Sequence, residues 1–96
     1  MSVNLTYAFW RLTEALRPMA TRTESLRDRL GRAFRAGMLG LSRDELPEDL
    51  QESSGSIWDR LVETDRKPLA EQEAQEIAQK LFDLYVVVSQ RLFATA

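Results

Sequence analysis

The sequence predicts an all-α fold, a compact four-helix bundle-like single domain spanning residues 1–96. Three observations carry that expectation. Apolar residues recur at helical spacing along four separate stretches. Only four glycines and three prolines interrupt 96 residues. The stretches are joined by short connections, which favour antiparallel neighbours in a bundle.

The first helix is expected over residues 4–17. Leu5, Phe9, Leu12, Leu16 and Met19 form its stripe, and Ala8 and Ala15 widen it. Asn4 is placed to cap its N-terminus, and Pro18 to end or kink it near Arg17. The second is expected over 22–39, opened by a capping box at Thr21–Glu24. Leu26, Leu30, Ala33, Phe34, Gly37 and Leu41 share its inner face, and Gly40 is the expected stop. Gly31 lies off that face as a soft spot, whereas Gly37 lies on it, where a neighbouring helix can approach closely.

Ser42-Arg43-Asp44-Glu45 matches a second capping box and reads as one short turn. The third helix is expected over 47–64, with Pro47 at its first position and Leu50, Ser54, Ile57 and Leu61 facing inward. Ser53-Ser54-Gly55-Ser56 weakens it, and a break there, with Ser56 as a fresh cap, is the alternative. Asp65-Arg66-Lys67-Pro68 reads as a loop. The fourth helix is expected over 69–93, with Ala74, Ile77, Ala78, Leu81, Leu84, Tyr85, Val88 and Leu92 on its main face.

The chain contains neither cysteine nor histidine. It therefore has no disulfide framework, no thiolate nucleophile, no imidazole base and no Cys/His zinc site. No catalytic residue, metal ligand or cofactor-binding residue is identified, no cofactor is expected, and no small-molecule substrate is evident. Ser53, Ser54 and Ser56 have no visible base and read as caps or packing residues. The N-terminus lacks a leader pattern, and the longest apolar run, Tyr85–Val88, is too short to span a bilayer. A cytoplasmic location without membrane contact is the expectation.

The net charge of −2 conceals a split: residues 1–43 carry +5 and residues 44–96 carry −7. Such halves can pair within one fold or between two copies of it. Arg29, Arg32 and Arg35 fall roughly opposite the Leu26/Leu30 stripe, with Arg22 beside them. They form a candidate face for an anionic partner, nucleic acid included.

The second constellation is an apolar surplus. Phe82, Val86 and Phe93 lie about 100–140° from the centre of the fourth helix's main stripe, at 100° per residue. Trp10 lies on the edge of the first helix away from Leu5, Phe9 and Leu12. A helix in a bundle has a wide apolar arc, but aromatic side chains this far round it also mark interfaces. Trp10, Phe82, Val86 and Phe93 are the candidate protein-interaction residues.

Glu48-Asp49-Leu50-Gln51-Glu52 and Glu73-Ala74-Gln75-Glu76 loosely resemble the carboxylate pattern of all-α nucleotide pyrophosphohydrolases. That resemblance implies acids on adjacent helices holding Mg²⁺. Both clusters, however, open consecutive helices, and an antiparallel hairpin would hold them apart by ~25 Å at 1.5 Å per residue. The leading expectation is thus a non-enzymatic protein-interaction module, self-associating as a homodimer. A nucleic-acid-associated regulator and a Mg²⁺-dependent phosphohydrolase are the alternatives.

Overall fold

A computed structural model describes residues 3–21, 23–63 and 69–94. Among them, four α-helices are arranged as a bundle: α1 (Leu5–Thr21), α2 (Leu26–Ala36), α3 (Glu48–Glu63) and α4 (Glu71–Ala94). Two short 3-10 turns, Met38–Gly40 and Arg43–Glu45, link α2 to α3. No described residue lies in a strand, and no helix is long and apolar enough to cross a membrane. The all-α, four-helix expectation holds.

Cross-helix contacts fix the directions. Arg29 near the start of α2 donates to the Met19 carbonyl at the end of α1, while Arg11 donates to Gly37 just beyond α2. Arg60, late in α3, meets Glu73 at the start of α4, and Arg91, late in α4, meets Asp49 at the start of α3. Both pairs of helices are antiparallel. The core between them is formed by Leu12, Leu30, Met38, Leu46, Ile57, Leu61, Ile77, Leu81 and Val88, with Ala8, Ala15 and Ala33 filling the closest approaches.

Asn4 caps α1 as expected, its side-chain oxygen accepting from the Tyr7 N–H at 3.0 Å. Pro18 does not end the helix near Arg17: α1 runs on to Thr21, whose hydroxyl donates to the Arg17 carbonyl. Proline removes only the bond to the Glu14 carbonyl, a small loss one turn from a helix end. That extension consumes the anticipated capping box. Ser25 caps α2 instead, accepting from the Asp28 N–H at 3.2 Å. Helix α2 also stops early. Gly37 leaves helical geometry at φ −132°, and the chain rewinds as the 3-10 turn that buries Met38.

The Ser42–Glu45 box is present, with the Ser42 N–H donating to the Glu45 carboxylate at 2.8 Å. Helix α3 passes unbroken through Ser53–Ser56, because Ser54 is small enough to sit buried on the core face in register with Leu50, Ile57 and Leu61. Helix α4 begins at Glu71, with Glu73 reaching back to the Ala70 N–H. The expected loop at 65–68 lies outside the described residues.

Gly31 is a spot where a methyl group has room, meeting only the Arg35 guanidinium at 3.7 Å. Gly31→Ala is expected to stabilise the domain by up to ~1 kcal/mol, the helix-propensity difference between the two residues. Chemical denaturation checks this through a raised midpoint at unchanged slope.

Candidate functional site

The apolar surplus on α4 is explained only in part by packing. Phe82 and Phe93 remain 50% and 65% exposed, and Val86 between them is partly buried. Each outer ring leans on an inner one. Phe93 stands edge-on to Phe9 of α1 at 5.6 Å, Phe9 stacks on Tyr85 at 5.4 Å, and Phe82 lies 6.4 Å from Tyr85. Four rings thus form a row across the α1/α4 seam, the inner pair partly covered and the outer pair facing solvent. An open groove of about 350 Å³ continues the row between Phe82 and Tyr85 of α4 and Leu16, Met19 and Ala20 of α1.

Phe82, Val86, Ser89 and Phe93 follow one another at i, i+4, i+7 and i+11, a second stripe on a helix that already has one. Gln75 and Gln79 extend it, so the stripe carries no charge from 75 to 93. Glu73, Glu76, Lys80, Asp83 and Arg91 fall on the other side of α4, where Glu73 and Arg91 reach α3. Aromatic enrichment with charge depletion is the composition of an interface centre rather than of ordinary surface.

Trp10 is separated from this row. It is 51% exposed on the outer side of α1, where its ring meets Tyr7 at 6.0 Å and the Arg11 guanidinium at 5.3 Å. Sequence reasoning overlooked Arg11, which joins these parts. Its Nε donates to the Gly37 carbonyl at 3.0 Å while its guanidinium lies over Trp10 and against Gly40. A single arginine in the middle of a helix carries no signal for that role.

The arginine face fares differently. Arg29 is partly buried and donates to the carbonyls of Met19 at 2.7 Å and Glu24 at 3.0 Å, tying α2 to the end of α1. Arg32 is ion-paired with Glu24. Arg35 is exposed, and Arg22 lies outside the described residues. Two of the four expected anion-binding side chains are thus engaged within the fold. The ion pairs between described residues, Arg17–Glu14, Arg32–Glu24, Arg60–Glu73 and Arg91–Asp49, each join side chains of the same half, so none of them links the basic half to the acidic half.

The carboxylate clusters are held apart by the α3/α4 hairpin. Glu48 and Glu52 lie at the end where Arg91 meets Asp49, and Glu73 lies at the end where it meets Arg60. The eleven steps along α3 from Asp49 to Arg60 correspond to about 16 Å of helix. No group of three or more acidic side chains suited to a metal gathers among the described residues.

The hydrogen bond from Arg91 holds the Asp49 carboxyl below its ordinary pKa, and Asp49 holds Arg91 above its own. The contribution of Asp49 to stability is therefore present above the carboxylate pKa of the unfolded chain. It is lost as the pH falls through the depressed folded value. Because both groups face solvent, Arg91→Gln is expected to return the Asp49 titration to the ordinary range with little change in stability. NMR titration of the Asp49 carboxyl, beside a denaturation curve, checks both parts.

No protein-family model, no curated protein and no solved structure matches this chain.

Proposed function

We propose that this chain is a non-enzymatic interaction module that works by binding protein through the α1/α4 face, its first partner being a second copy of itself. The observation that carries the reading is the uncharged stripe of Phe82, Val86, Ser89 and Phe93, two of whose rings stay at least half exposed. Leaving such rings in water forgoes roughly 25 cal/mol for each Å² that a partner would cover. A side of the molecule 38 Å long and 20–24 Å across offers roughly 800 Å², the share each partner gives to a standard-size interface. The absence of histidine and cysteine from the sequence supports a binding role over a catalytic one.

Light scattering across a concentration series tests the reading. The expected result is a mass that rises toward twice the 11.0 kDa of the chain. A strict monomer at the highest concentration contradicts self-association. A parallel titration with duplex DNA at two salt concentrations addresses the arginine face. Phosphate contacts show first at low salt, and the expected result is no saturable binding there.

A further inference from the structure

A hollow of about 450 Å³ opens on the other side of the molecule, between the 3-10 connection and the middle of α3, with no residue of α1 or α4 in its lining. Its size falls within the ~300–1,000 Å³ common for small-molecule sites. Three features of the lining point to an occupant.

The first is charge. Arg43 and Asp59 line the same hollow with opposite charges, yet no ion pair joins them, and neither pairs with any other described residue. The Arg43 guanidinium is let in by Gly55, where a Cβ would overlap its Nη2 and lie 3.0 Å from its Cζ. The second is Ser54, which is only 4% exposed and lines the hollow. Its hydroxyl makes no hydrogen bond to any described residue, and since no buried side-chain oxygen or nitrogen among them lacks a partner, the hydroxyl is open to the hollow and free to bond an occupant. The third is the apolar wall. Trp58 is held edge-on to Phe34 at 5.3 Å, Leu41 is buried beneath, and Leu39 stands 57% exposed at the mouth.

A cation, an anion and an unpartnered hydroxyl beside an apolar wall match a dipolar molecule with an apolar side. We infer that the hollow binds a free α-amino acid with an apolar side chain. The carboxylate is taken by Arg43 and the Ser54 hydroxyl, the ammonium by Asp59, and the side chain lies against Trp58 and Leu39. Charge-assisted bonds to both ends supply the selectivity.

The test uses Trp10→Phe, which leaves Trp58 as the only tryptophan. L-Leucine, N-acetyl-leucine and leucinamide are titrated while Trp58 fluorescence and heat are followed. Leucine is expected to give a saturable signal, with each blocked derivative at least about tenfold weaker, the loss of one charged contact. Arg43→Gln and Asp59→Asn, both at exposed positions, are expected to weaken leucine similarly. Asp59→Asn should leave N-acetyl-leucine unchanged. Gly55→Ala, which displaces the guanidinium, should resemble Arg43→Gln. Equal binding of leucine and its acetylated form overturns the assignment. So does the lack of any saturable response to leucine, methionine or phenylalanine while circular dichroism shows a folded chain.

Discussion

Gly37→Ala is expected to cost this domain roughly 2–3 kcal/mol, the upper part of the range for overpacking a tight contact. A Cβ at Gly37 would overlap the Arg11 carbonyl oxygen and lie 2.5 Å from both the Ala15 Cβ and the Ala15 backbone nitrogen. Two of those atoms are backbone, so relief requires α1 and α2 to separate. Separation also strains the Arg11 hydrogen bond to the Gly37 carbonyl and loosens the packing around Ala8, Ala15 and Ala33, which are fully buried. For a domain of this size such a loss lowers the melting temperature by about 10–20 °C. Thermal unfolding followed by circular dichroism checks it, with Gly31→Ala as a change of the same chemistry and opposite expected sign.

Phe82→Glu is expected to weaken self-association at least about 100-fold, the effect of removing a central aromatic contact. It also places a charge on a stripe that has none between 75 and 93. The monomer should remain helical, because Phe82 is half exposed and its principal ring contact is with Tyr85 at 6.4 Å. Arg35→Glu, on the far-side arginine face, should leave association unchanged. Sedimentation velocity on both variants separates the aromatic surface from the charge split as the source of self-association.

Much of the fold was legible because periodicity reports burial directly. Leu50, Ser54, Ile57 and Leu61 were expected to face inward and all are buried, as are Ala74, Ile77, Leu81, Leu84 and Val88 among the residues expected on the inner face of α4. What periodicity hides is size. The stripe of α1 reads as Leu5, Phe9, Leu12, Leu16 and Met19 with Ala8 and Ala15 only widening it, yet the two alanines lie deeper than all of these except Leu12, because small residues are what allow α1 to approach α2.

Helix ends were less legible. Thr21–Glu24 and Ser25 both offer cap chemistry, and only the run of α1 through Pro18 decides between them. The site divides along the same line. The exposure of Phe82, Phe93 and Trp10 follows from the helical wheel, but the distance of Trp10 from the aromatic row depends on where α4 docks. The engagement of Arg29 and Arg32 likewise depends on tertiary neighbours that no local pattern encodes.

Backbone amide shifts recorded as the protein is diluted test the interaction surface most directly. The predicted result is concentration-dependent shifts confined to residues 82–93 of α4 and the facing turns of α1, with α2 and α3 unchanged. Spectra identical at every concentration, or shifts centred on the arginines of α2, would contradict it.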